Sequence, residues 1–333
     1  MDKLRKKRLL NNGIAIVLVI VLYVLLEILI RTELLNPIGF TSDFFKKMFI
    51  NIILAVSLNL VTGFLGQLSL GHAGFMSVGA YTAALITIHA DLPIYIEFPL
   101  ALLAGGLMAV VFGLIVGIPC LRLKGDYLAI LTLGFGEIIK VIMTNLKGLT
   151  NGASGLNAIP SYSKFGYVYF ISILTVYIIY KFIKSRHGRA VISIRENEIA
   201  AESCGVNLTY YKLFAFLIAS FFAGIAGGLY AHNIGYIAPK TFDYNYSIEI
   251  LIMVVLGGMG SITGSVVAAC ALTIIPQLLK YMNLGQYQML LYSIILIAIM
   301  LFRPYGLMGK YEFSLSKLLN KGKRASQGGT ENE

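Results

Sequence analysis

A few polar clusters interrupt this otherwise apolar 333-residue chain, and each can be asked what chemistry it could do. Asn59–Tyr81 reads NLVTGFLGQLSLGHAGFMSVGAY and sets His72, Ser69 and Ser77 among glycines 63, 66, 71, 74 and 79. An imidazole can carry protons or ligate a metal. No second His, Cys or carboxylate stands at ligand spacing around His72, so no metal is expected and a hydrogen-bonded structural histidine is the favoured reading. Glycines let helix backbones approach closely in a bilayer and let a chain unwind where it lines a cavity. The residues alone weigh pathway lining and close packing evenly. Glu137 and Lys140 lie three apart and share a helix face. An ionisable group inside a membrane is a functional candidate by default, yet as a pair near a helix boundary these two are favoured as structural. Glu27 and Glu249 are single charges near expected helix ends, where snorkelling to the interface accounts for them. Leu256–Gly264, LGGMGSITG, reads as a tight turn between helices or a helix break; it lacks the lysine of a phosphate loop. No Walker A pattern occurs anywhere, so no nucleotide site is expected on this chain. No acid–base or nucleophile constellation is present, so no catalytic residue is assigned and a membrane enzyme is disfavoured.

The elements that must position these residues follow from composition. The chain is 57% hydrophobic and 13% charged, with mean hydropathy +0.79. Soluble domains carry about 25% charged residues, so the bilayer is the natural solvent. Spans of about 20 apolar residues are expected near 14–31, 46–62, 68–90, 97–121, 127–145, 165–183, 211–232, 246–259, 262–281 and 286–303. This is an all-α polytopic membrane protein of about ten helices, range 8–11. Gly interrupts 46–90 and 246–281, so one piece of each is expected to be short, broken or re-entrant.

Charge orients the chain. The net charge is +11, with basic residues gathered at Lys3–Arg8, at Arg122 and Lys124, from Lys181 to Arg195, and from Arg303 to Arg324. Lys and Arg accumulate in cytoplasmic loops, which puts both termini and the 184–210 loop in the cytoplasm. Lys46 and Lys47, beside an expected outside loop, fit this pattern less well. Without aromatic–basic interleaving, nucleic acid is not an expected partner. The basic then apolar N-terminus ends without a small-residue cleavage site, so it reads as an uncleaved first helix rather than a signal peptide. Cys120, Cys204 and Cys270 are far apart, indicating neither disulfides nor a metal site. The organisation is a transmembrane domain over 1–305 and a partly disordered cytoplasmic tail over 306–333 ending SQGGTENE.

The 184–210 loop reads SRHGRAVISIRENEIAAESCGVNLTYYKL from Ser185. Its centre, Ile194–Ser203, is expected to be one short helix with Ile194, Ile199 and Ala200 on one side, stopped by Gly205. Such a helix can lie on lipid or dock in a partner's groove. Glu196, Glu198 and Glu202 offset its arginines, which favours the protein partner.

The same loop, E-I-A-A-E-S-C-G, resembles the "EAA…G" element of binding-protein-dependent ABC importer permeases. Ala200, Ala201 and Gly205 fall on the pattern, and Ile199 stands where the strict form has glutamate. Asn59–Tyr81, GDYLAILTLGFGEI from Gly125, TNGASGL from Thr150 and VVLGGMGSITGSVVAA from Val254 resemble branched-chain amino acid permeases, in the expected order over roughly 45–305 and closest to the LivM-type subunit. The resemblance implies a LivH-type permease partner, two ATP-binding cassette subunits that hold the ATP, an extracytoplasmic substrate-binding protein and the bacterial inner membrane. It implies an ATPase-coupling role for Arg195, Glu198, Ala200, Ala201, Glu202 and Gly205. Candidate pathway residues are Ser69, His72, Ser77, Thr150, Asn151 and Ser154. Urea and short-chain amide permeases look similar, so the resemblance is less specific for cargo. A secondary transporter would need more ionisable groups than Glu137, Lys140 and His72.

Overall fold

A backbone in hydrocarbon must satisfy its own polar groups, and this sequence does so with helices. The computed structural model describes residues 2–32, 39–90, 93–120, 123, 125–302 and 306–309. The basic positions Arg122, Lys124 and Arg303 and the tail from 310 lie outside the described residues. Among those described, the elements are α1 (Asp2–Arg31), α2 (Ser42–Asn59), which runs into a π-helical turn (Leu60–Phe64), α3 (His72–His89), α4 (Ile94–Cys120) and α5 (Asp126–Asn145). A single turn, α6 (Lys147–Thr150), then leads to α7 (Phe165–Lys184), α8 (Arg186–Glu196), α9 (Glu198–Ser203), α10 (Leu208–Ile234), α11 (Tyr244–Gly257), α12 (Ile262–Tyr281) and α13 (Gln288–Phe302).

Six of the described segments are long and apolar enough to cross a membrane: Ser42–Phe64, α4, α5, α7, α10 and α12. The protein is therefore an all-helical, multi-pass membrane protein. At the other four expected positions stand α1, α3, α11 and α13, helical but outside that set. Both expected interruptions are present. Helix stops at Phe64 and resumes only at His72, because Gly66 turns the chain at φ +77°. α11, with 14 residues, rises about 21 Å, short of the ~30 Å hydrocarbon core.

Small residues set the centre. A Cβ on Gly79 of α3 would sit 2.2 Å from the Gly224 carbonyl oxygen of α10, and one on Gly105 of α4 would sit 2.7 Å from the Gly79 oxygen. Three backbones therefore meet at distances only glycine permits. α2 is enclosed by this group and by α7, α11 and α12, with 94% of its apolar window buried against 28% for α5. α5 thus presents Ile130, Ile138 and Val141 outward, as α4 presents Leu103, Leu107 and Val111. α1 leans on α7, where Tyr23 stacks on Phe165 at 6.0 Å and the Tyr169 hydroxyl donates to Val19 O at 2.8 Å.

Candidate functional site

The loop between α7 and α10 is built from local caps. Ser185 starts α8 by accepting from Gly188 N at 3.2 Å. Asn197 is extended (φ −161°), and its side chain accepts from Ala200 N at 3.1 Å, ending α8 and starting α9. Gly205 (φ +81°) closes α9, with Val206 N donating to Ala201 O and Gly205 N to Glu202 O, a Schellman stop. The single helix expected over 194–203 is thus two, because the Asn197 side chain caps a second start. Its inward side also differs from the expectation: Val191, Ile194 and Ala201 are buried, while Ile199 is 76% exposed. Glu198 pairs at 2.6 Å with Lys212, whose side chain is buried in α10, so Glu198 anchors the loop from within. Glu202 and Cys204 are exposed beside Ile199.

Arg195 joins this loop to the membrane bundle. Its Nη1 donates to Gly63 O at 2.8 Å, and it also pairs with Glu196. Its stem lies where a Cβ on Gly66 would be, 2.6 Å away, and its Nη1 lies 2.8 Å from the corresponding position on Gly260. Gly63 belongs to the π turn ending α2, and Gly260 to the turn between α11 and α12. Asn59, fully buried, binds those two turns together: its Nδ2 donates to Ser261 O (2.9 Å) and Ser265 Oγ (2.8 Å), and its Oδ1 accepts from Gly260 N (2.9 Å). Through Arg195 and Asn59, α8 is thereby in contact with the ends of α2, α11 and α12.

Of the candidate pathway residues, Ser69, His72 and Ser77 are buried inside the chain, at 2%, 3% and 0% exposure. His72 Nε2 meets Ser57 Oγ at 2.9 Å. The backbone entering α3 is satisfied by neighbours rather than by itself: Leu70 N donates to Thr132 Oγ1 and Ala73 N to Ser247 Oγ. Thr150 donates to Met143 O at 2.5 Å and Asn151 Nδ2 to Gly155 O at 3.2 Å, while Ser154 O accepts from Tyr236. These three form a turn at the far end of α5, away from His72. Glu137 pairs with Lys140 at 3.0 Å and accepts from Tyr244 N at the start of α11, the structural task favoured for this pair.

The sequence reading missed a cavity of about 60 Å³ between α2, α11 and α12, lined by Lys47, Asn51, Tyr246, Glu249 and Lys280. Glu249 stands in this wall, half-buried. The misfit of Lys46 and Lys47 to the loop-charge pattern was its one signal. Lys46 pairs with Asp43 at 2.7 Å, and Lys47 faces the cavity.

Comparison with known proteins places this architecture. Residues 40–300 match the family model described as "Branched-chain amino acid transport system / permease component". The chain is similar to the LivM permease protein of the high-affinity branched-chain amino acid transport system of Escherichia coli (strain K12), 35% identical over 321 residues, covering 86% of this chain and 74% of the relative. Its counterpart from Salmonella typhimurium is 36% identical over 300 residues, covering 80% and 69%. The ribose import permease protein RbsC of Haemophilus influenzae is 25% identical over 299 residues, covering 84% and 91%. The matched segment takes in α2 through α12, the Arg195 contact and the broken helices described above, and the chain belongs to the family of permease components of branched-chain amino acid transport systems.

Proposed function

We propose that this chain is the LivM-type half of the membrane pathway of an ATP-driven importer of leucine, isoleucine and valine in the bacterial inner membrane. A LivH-type subunit supplies the other half. Two ATP-binding cassette subunits dock beneath the two permease subunits and hold all the ATP, one of them on the α8–α9 loop of this chain, and an extracytoplasmic binding protein delivers the amino acid. Both termini and the loop then face the cytoplasm, with about ten crossings in residues 1–305 and a cytoplasmic tail over 306–333. The observation that carries this reading is the loop itself. Ile199 is exposed on a helix that Glu198, Ala201 and the Asn197 cap hold rigidly, and Arg195 ties the preceding helix to α2 and the α11–α12 turn. An exposed apolar residue on a fixed helix suits a groove in a partner, and the Arg195 contact gives that partner something to move. Ser69, His72, Ser77 and the Thr150–Ser154 turn are proposed along the pathway those movements open.

The test is uptake by proteoliposomes holding both permease subunits, both ATPases and the binding protein. Labelled leucine should accumulate with ATP while urea does not. Accumulation of urea in place of leucine would refute the cargo assignment.

A further inference from the structure

The cavity between α2, α11 and α12 combines groups that no packing requirement explains. Asn51 and Gln277 are committed elsewhere, donating to Thr273 Oγ1 at 2.9 Å and Gly39 O at 2.8 Å. Four other polar groups on its wall are not. The Tyr246 hydroxyl is buried with no hydrogen-bond partner. The exposed Lys47 and Lys280 and the half-buried Glu249 line the same space, and among the described residues none of the three closes an ion pair. Ionisable side chains on membrane helices are costly and mark ligand paths. A buried hydroxyl left unpaired costs about 1–3 kcal/mol, and around this one the lining brings two cations and one anion. The same three helices also contribute apolar lining, from Phe44, Ile250, Met253, Leu272 and Pro276.

We propose that this cavity is a binding site for the zwitterion of a free aliphatic α-amino acid on its way through the membrane. The ligand carboxylate lies between Lys47 and Lys280 and accepts from the Tyr246 hydroxyl. Its ammonium faces Glu249, and its hydrocarbon side chain lies along Ile250, Met253 and Leu272. The space of about 60 Å³ exceeds what a single water needs. The phosphate of an anionic lipid would satisfy the lysines but leave the Glu249 carboxylate facing an anion. The proposal rests on the importer reading above and assigns it a place of recognition within this one subunit.

The experiment uses the permease–ATPase complex in lipid nanodiscs without the binding protein, so that selectivity comes from the membrane subunits alone. Binding of tritiated leucine is competed with leucinamide, which lacks the carboxylate, and with 4-methylpentanoate, which lacks the amine. The wild-type complex should prefer leucine to either analogue by at least tenfold. Lys47→Gln with Lys280→Gln should erase the preference over leucinamide only, and Glu249→Gln the preference over 4-methylpentanoate only. Tyr246→Phe removes a hydroxyl with no partner, so it should leave the melting temperature unchanged or higher while weakening leucine several-fold. Unchanged discrimination in folded variants, or a change in co-purified phospholipid without one in leucine binding, overturns the site. If the wild-type complex with its binding protein takes up no leucine, the importer reading itself has failed, and the site with it.

Discussion

At the residue scale, two glutamates four apart in the α9 region do opposite work. Glu198 is inside, against the buried Lys212, and Glu202 is outside. Reversing Glu198 to Lys leaves two cations facing each other with one of them enclosed, which should cost about 3–5 kcal/mol and appear as a lower melting temperature of the detergent-solubilised protein. Glu202→Lys should leave that temperature unchanged. Ile199→Glu changes a side chain that touches solvent, so folding should again be unaffected. It should, however, abolish co-purification of the ATPase subunits; retention of a full complement would remove the docking assignment. The sequence made Glu198 and Glu202 look equivalent because both lie in one polar run. Their difference is set by Lys212, fourteen positions away on another helix. Arg195 was legible as a loop residue, but its acceptor is a backbone carbonyl 132 positions distant. No side-chain pattern announces such a partner.

At the element scale, the helices were legible wherever an apolar run was long, and blurred where glycine occurred. The run 46–90 reads as two spans. In the structure it is one span, a π turn, seven residues without helix from Leu65 to Gly71, and a helix whose first amides are held by Ser247 and Thr132 of other helices. Cross-helix satisfaction of this kind has no local signature. The glycines left pathway lining and close packing evenly weighed, and the three-backbone meeting of α3, α4 and α10 shows that Gly79 serves packing. Gly79→Val should be among the most damaging single changes. It places carbon where the Gly224 backbone already lies, costs of order 3 kcal/mol or more, and should show as loss of monodisperse protein after extraction. Recovery of well-folded Gly79→Val protein at wild-type yield would mean that these helices are not packed as closely as described.

At the scale of the whole molecule, the proposed function makes the chain a transmission. The six spans found among the described residues were readable from composition, and its membership of the permease family from motifs along the chain. The contacts proposed to carry force across it were not, since they join residues far apart in sequence. The loop is anchored to α10 by Glu198 and Lys212, and it reaches the ends of α2 and of the α11–α12 turn through Arg195, where Asn59 locks those ends together. The measurement that tests this most directly is the ratio of leucine imported to ATP hydrolysed by the reconstituted complex carrying Arg195→Ala. Assembly and ATP hydrolysis should persist, because the docking face is intact, while uptake falls at least tenfold. A wild-type ratio in that variant would contradict the account.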